Sequence, residues 1–302
     1  MLFVAVLVIA GVLFPANAYA WGPLTHLAHG SLAMDDLTIA SLSLQELLRK
    51  HPLEYLYGCI GADITQAKKY TRRMQYHCHS WVVGWQLLEA AGDDAQRAFA
   101  YGYLSHLASD IYSHNHFVPT QLVVSYEARA LRHVYWEARF DSLQDTTYRR
   151  LLRDLINHRF PDCDDLVKEV VSRTLFSFET NKRIFTSVMA WQQFEQWHSL
   201  MLRVSSRSRF SLPAEVVPAY NRVCIAGIQD IFCHGKRSYT QREDPTGTMA
   251  IARAKELRAQ LKRLARLRLI TPQIAADVRA LSLAETKDLL RPQAGRAVSH
   301  GA

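Results

Sequence analysis

The stretch Tyr103-Leu-Ser-His106-Leu-Ala-Ser-Asp110-Ile-Tyr-Ser-His114-Asn-His116 decides how this chain folds and where its chemistry sits. Apolar residues at Tyr103, Leu104, Leu107 and Ile111 have the three- and four-residue spacing of a helix. On that helix His106 and Asp110 stand one turn apart on one face. A carboxylate among apolar neighbours is costly to bury unless it is paired or bound to a metal. His114 continues the stripe at i+8. His116 follows two residues later, where the helix is expected to end before Pro119. Further on, His133-Val-Tyr-Trp-Glu137 repeats the His-x3-acid spacing. A single such pair is commonplace on a helix surface. Two in tandem, with further histidines between them, give the geometry by which helices hold a metal ion.

Upstream, Gly61-Ala-Asp63-Ile64 places an acid in apolar surroundings, and His77 and His79 follow, flanking Cys78. Earlier still comes Trp21-Gly-Pro-Leu-Thr-His26-Leu-Ala-His29. The segment before it, Leu2–Phe14, is an apolar run followed by Ala18-Tyr-Ala20, the small-x-small form of a signal-peptidase site. The run is shorter than the roughly 20 residues of a membrane span. Cleavage near Ala20 and export to the periplasm or beyond are therefore expected. Trp21 would then be the first residue, and its α-amine and carbonyl could chelate a metal.

Helical spacing recurs over Leu24–Leu48, Trp81–Ala91, Ala95–Tyr112, Val123–Phe140, Tyr148–His158, Asp164–Phe178, Asn181–Met201 and Leu212–Phe232. Strand alternation is not sustained anywhere, so the class is all-α. The polar segment His234–Thr248, with Gly235, Pro245 and Gly247, reads as a linker to two more amphipathic helices, Met249–Leu269 and Thr271–Leu290. The expected organisation is a signal peptide over 1–20, an all-α metal-dependent domain over 21–235, and a linker with basic helices over 236–302. The net charge is +8, and Arg253–Arg268 carries seven cations against Glu256 alone. Such a segment is a solvated face or a surface for anionic lipid or nucleic acid. Five cysteines leave at least one unpaired in any disulfide scheme, and none has CxxC zinc-ribbon spacing. A Gly-rich phosphate loop and a Ser/His/Asp nucleophile motif are both missing.

The ordered set of Trp21, a His, Asp63, a His, His106-x3-Asp110, another His and His133-x3-Glu137 resembles the bacterial zinc-dependent phospholipase C family. It is also similar to the single-strand-specific nucleases that share that fold. The resemblance covers Trp21 to Glu137. It implies a multi-helix bundle around a metal cluster, with up to three zinc ions. Asp63, one of His77 or His79, His106 and Asp110 would hold one ion. His114 or His116, with His133 and Glu137, would hold a second. Trp21 and His26 (or His29 in its place) would hold a third, bridged by Asp110. Asp63 would also orient the nucleophile. The activity implied is phosphodiester hydrolysis by a metal-activated water, on a phospholipid headgroup bond at a membrane surface. A zinc nuclease or phosphomonoesterase is an alternative, with Tyr55, Tyr57, Trp81 and Trp85 as stacking platforms or core aromatics. A further alternative is a zinc-stabilised envelope protein without catalysis.

Overall fold

A computed structural model describes residues 21–65, 76–128, 133–171, 176–192, 203, 212 and 215–291. The expected signal segment, its cleavage point, Pro213 and the tail beyond Arg291 lie outside them. Regular structure among the described residues is helical throughout, and none of these helices is long and apolar enough to cross a membrane.

The expected Leu24–Leu48 helix is two helices, α1 (Pro23–Asp35) and α2 (Leu42–Lys50). Asp36 breaks it by accepting hydrogen bonds from the Thr38 backbone and hydroxyl, and Ser41 caps the new start. Next comes α3 (Pro52–Gly61), a helix that periodicity did not reveal, followed by a 3-10 turn, Ala62–Ile64. Helix α3 runs against α5 (Asp94–Tyr112), with α4 (Trp81–Ala90) on another side of α5. Gly58 and Gly102 meet where α3 and α5 cross. A Cβ on Gly102 would lie 1.9 Å from the Tyr55 carbonyl, and one on Gly58 would lie 2.0 Å from that of Phe99. Only glycine allows the two backbones this approach.

The chain does not stop at Pro119. Helix α5 widens into a π turn, Ser113–Phe117, and continues as α6 (Val118–Val124). The Val118 amide reaches back to the Ser113 carbonyl, the five-residue step of a π turn. A proline donates no amide hydrogen bond and crowds the carbonyl four residues back, so a widened turn accommodates it. Asn115 supplies a side-chain donor to the Ile111 carbonyl at 3.2 Å. The expected Val123–Phe140 helix is likewise divided, into α6 and α7 (His133–Asp141). The Ser125 hydroxyl bonds the Gln121 carbonyl at 2.6 Å where α6 ends.

Helices α8 (Thr147–Asn157), α9 (Pro161–Val170), α10 (Phe178–Gln192) and α11 (Val216–His234) complete the first part of the chain. Two apolar clusters hold it together. One gathers α1, α3, α4 and α5 up to Ala108 with α8–α10. The other gathers Trp21, Phe117, Trp136, Phe140 and Tyr220 with α6 and with Ile251, Ala254, Leu261 and Ala275 from later in the chain. Ser109, Asp110, Ser113 and His114 are buried at the junction of the two.

The segment read as a linker is fastened down along its length. Thr240 bonds Asp230 through its amide (2.9 Å) and hydroxyl (2.6 Å). The Trp85 indole donates to Gln241, the Trp81 indole to the Glu243 carbonyl, and Asn115 to the Asp244 carbonyl. It leads into α12 (Thr248–Arg266) and α13 (Pro272–Leu290). Ile251, Ala254 and Leu261 of α12 are buried, and α12 packs on α6. Arg258 turns inward and donates to the Leu122 and Ala128 carbonyls at 3.3 and 2.8 Å, on the C-terminal side of α6. All five cysteines are free thiols.

Candidate metal centre

Helix α5 presents His106 and Asp110 on one face, as their spacing predicts. The His106 Nδ1 donates to the Cys59 carbonyl of α3 at 2.9 Å. That bond fixes the neutral tautomer and leaves the Nε2 lone pair pointing inward. The Nε2 atom lies 3.2 Å from Asp110 Oδ2 and 3.2 Å from His79 Nε2. His79 Nε2 is in turn 3.2 Å from Asp110 Oδ2 and 3.5 Å from Asp63 Oδ1. On the other side of Asp110, His26 of α1 brings Nε2 to 3.1 Å from Oδ1, and its ring stacks on His106 at 3.8 Å between centroids. Each of these five side chains is buried.

Burial, followed by the neighbouring His106, pushes the His26 imidazole down to about 4, so it is neutral at pH 7. Burial alone would raise Asp110. Attraction to His106 and His26 in their protonated forms outweighs it and holds the carboxyl well below the usual carboxylate range. Neither oxygen of Asp110 and neither nitrogen of His26 makes a well-formed hydrogen bond. A buried anion ringed by lone pairs, with donors missing, is a cradle for a cation. Spacing supports this. Bonds of about 2.0–2.1 Å from a tetrahedral zinc put its ligand atoms roughly 3.3 Å apart, and the His79–His106–Asp110 triangle measures 3.2 Å on each edge.

The paired candidates separate by position. His79 stands in the cluster and His77 beside it: the His77 Nδ1 accepts from the His79 amide at 3.1 Å. The donor atoms of His77, Cys78 and His79 do fall within 4.8 Å of one another, a closeness that consecutive residues have by connectivity. Tyr103 anchors this loop through a hydrogen bond from its hydroxyl to the Cys78 carbonyl. His26 stands in the cluster and His29 one layer behind. His29 Nε2 donates to Asn221 at 2.9 Å, and Nδ1 accepts from the Ser109 hydroxyl at 2.7 Å. Burial pushes His29 down to about 3. The Trp21 ring is fully buried beside it, with its indole donating to the Ser109 carbonyl at 3.1 Å.

On the π turn His114 is buried and His116 half-buried. The His114 Nδ1 donates to the Pro245 carbonyl at 2.6 Å. Gly247, at φ 54, lies so close that a Cβ there would stand 2.4 Å from the His114 carbonyl. His116 faces outward to Glu243, 3.5 Å away. Glu137 is buried on α7. His133 begins that helix, and its side chain lies outside the described part.

One acid escaped the sequence reading. Asp141 accepts from the Thr25 amide at 2.8 Å and the Thr25 hydroxyl at 3.0 Å, so it caps the start of α1 next to His26. Burial pushes its carboxyl up to about 7. Its spacing of four from Glu137 was the available signal. Asn221 and Pro245 had none, since they lie 192 and 131 residues from the histidines they hold.

The model of the zinc-dependent phospholipase C family matches residues 25–187, which is 163 of the 302 residues. The chain belongs to the zinc-dependent phospholipase C family. No curated protein and no solved structure gives a significant match to it. Membership gives the His and Asp cluster its expected metal, and the donor set fits zinc: imidazole nitrogens and carboxylate oxygens at tetrahedral spacing. The family's all-α architecture is the one observed. The five buried donors from His26 to Asp110 fall inside the matched stretch, as do His114 and Glu137, while Trp21, Asn221 and Pro245 fall outside it.

Proposed function

We propose that this chain is an exported phospholipase C that hydrolyses the phosphodiester between diacylglycerol and a phospholipid headgroup. The observation that carries the reading is the buried triangle of His79, His106 and Asp110, with equal 3.2 Å edges and no hydrogen bond to either Asp110 oxygen. Asp63, His79, His106 and Asp110 would hold one zinc. His114, through the nitrogen that Pro245 leaves inward, would hold a second with His133 and Glu137. His26, Asp110 and the amine and carbonyl of Trp21 would hold a third. Zinc in such a site acts as a Lewis acid and lowers the pKa of bound water towards about 7.

The chain's own residues do the rest. Cys59 and Pro245 set the tautomers of His106 and His114. Ser109, Asn221 and Asp141 hold α1 so that His26 reaches Asp110. Asp63 orients the attacking water and takes up its proton. The water oxygen ends on phosphorus, the P–O bond to the glycerol oxygen breaks, and that oxygen leaves as diacylglycerol carrying the proton that Asp63 took up and gives back. Export after Ala20 is part of the reading, because only a free Trp21 amine could join the centre. The burial of its ring beside Ser109 supports it. Trp81 and Trp85 pack against the larger apolar cluster, with their indole N–H groups bonded to the 235–247 segment, and that packing counts against their serving as base-stacking platforms.

The test is hydrolysis of phosphatidylcholine and of single-stranded DNA side by side, before and after EDTA, with zinc added back. Phospholipid turnover that EDTA abolishes and zinc restores is expected. DNA cleavage in its place would transfer the site to the nuclease reading, and full activity in metal-free protein would end both. N-terminal sequencing of exported protein checks for Trp21, and elemental analysis counts the ions.

A further inference from the structure

Helix α12 carries two apolar stripes. The inner one, Ile251, Ala254 and Leu261, is buried. The outer one, Met249, Leu257 and Leu264, continued by Leu267 just past the helix end, lies within one side of the helix and faces water. Leu267 is 59% exposed, and beyond the turn Leu269 is 60% and Ile274 44% exposed. Among the described residues nothing covers these side chains, although soluble proteins rarely leave such residues contiguous. Cations accompany them. The twenty residues Leu257–Ala276 contain five Lys or Arg and no Asp or Glu. Arg258 is turned inward, whereas Arg263, Arg266 and Arg268 are exposed.

The turn between α12 and α13 adds an independent observation. It is a Schellman motif, with the Leu269 amide bonded to the Leu264 carbonyl at 3.0 Å and the Arg268 amide to that of Ala265 at 3.1 Å. Its left-handed residue, normally glycine, is Arg268 at φ 58. An arginine in that conformation is strained. Arg268 thus stands at the turn itself, exposed between Leu267 and Leu269.

We infer that the α12–α13 hairpin is a docking surface for an anionic lipid bilayer. Its leucines enter the headgroup–acyl boundary, and Arg263, Arg266 and Arg268 pair with lipid phosphates, as interfacial amphipathic helices do. A second copy of the chain is a poorer occupant, because a symmetric contact would set the two cation clusters against each other. Nucleic acid would use the arginines and leave the leucines bare. Gly247, at the N-terminal end of α12, touches His114, so the docking helix is built directly onto the candidate metal centre. The inference concerns binding and stands apart from the reading of the reaction.

The test is flotation of the full chain with phosphatidylcholine vesicles and with phosphatidylcholine–phosphatidylglycerol vesicles. Binding to the mixed vesicles alone, weakening with salt, is expected. The triple variant Arg263→Ala, Arg266→Ala, Arg268→Ala should lose on the order of a hundredfold in affinity, about fivefold per cation. The double variant Leu264→Asp, Leu267→Asp should lose binding while keeping the wild-type circular dichroism. Turnover of a monomeric short-chain phosphatidylcholine should be unchanged in both. If wild-type protein turns over no phospholipid yet still floats, the catalytic reading fails and the docking surface stands. The docking inference is overturned if wild-type protein stays off anionic vesicles or if the variants float as well as wild type. A Leu267-dependent dimer in sedimentation equilibrium, or nucleic-acid binding indifferent to the leucines, would overturn it too.

Discussion

The junction of α1, α3 and α5 and the α12–α13 hairpin both set charged groups among apolar ones, and they use them in opposite ways. At the junction His26, Asp63, His79, His106 and Asp110 are buried and converge on one another. At the hairpin the arginines and leucines are exposed and diverge. Burial makes the first set strong and intolerant: in a low-dielectric interior an uncompensated carboxylate is costly, so every neighbour is committed to it. Exposure leaves the second set nearly neutral for stability and available to a partner.

Substitution should expose that contrast, starting inside. Asp110→Asn removes the charge around which the centre is organised. Phospholipid turnover should fall by about a thousandfold or more, the scale of a lost Lewis-acid contribution of several kcal/mol, with bound zinc lost in elemental analysis. Retained biological function in that variant would make the protein a non-catalytic member of its family. Gly102→Ala wedges α3 from α5 and should cost about 3 kcal/mol or more in urea unfolding. Asn221→Ala removes the hydrogen bond that orients His29 behind His26, and should weaken zinc binding by about 10–100-fold in a chelator competition.

Acid should act on the interior before the surface. His29 titrates at about 3 in the folded chain and near 6.5 when unfolded. The unfolded state therefore binds more protons between those values, and stability rises with pH across that window. The contribution of this group is fully present above about pH 6.5 and is lost at up to about 1.4 kcal/mol per pH unit as pH falls towards 3. His29→Gln should flatten that part of a stability-against-pH curve. Last and smallest, Leu267→Asp should change unfolding stability by no more than about 0.5 kcal/mol. A large loss there would show the hairpin to be structural and erase the contrast.

What the sequence made legible was local or ordered along the chain. The His106–Asp110 pair needs only one helical turn, and the candidates that converge on it, Asp63 with one His from each upstream pair, needed only their order along the chain. The choices between His26 and His29, His77 and His79, and His114 and His116 were not legible, because distant atoms make them: Ser109, Asn221, the His79 amide and Pro245. Helix α3 was missed because Tyr55–Gly61 is buried residue after residue, so it lacks the polar face that periodicity detects. The π turn was missed because Pro119 reads locally as a stop.

The hydrogen bond from His114 to Pro245 limits where this protein can be cut. Sequence similarity to the family ends at residue 187, yet Asn221 steadies His29 and Pro245 grips His114. A fragment trimmed to the recognisable stretch would carry most of the donor atoms without the two residues that aim them. The smallest piece able to work is longer than the piece that can be recognised. The later helices complete the candidate centre, and they carry with them the surface we propose for bilayer docking.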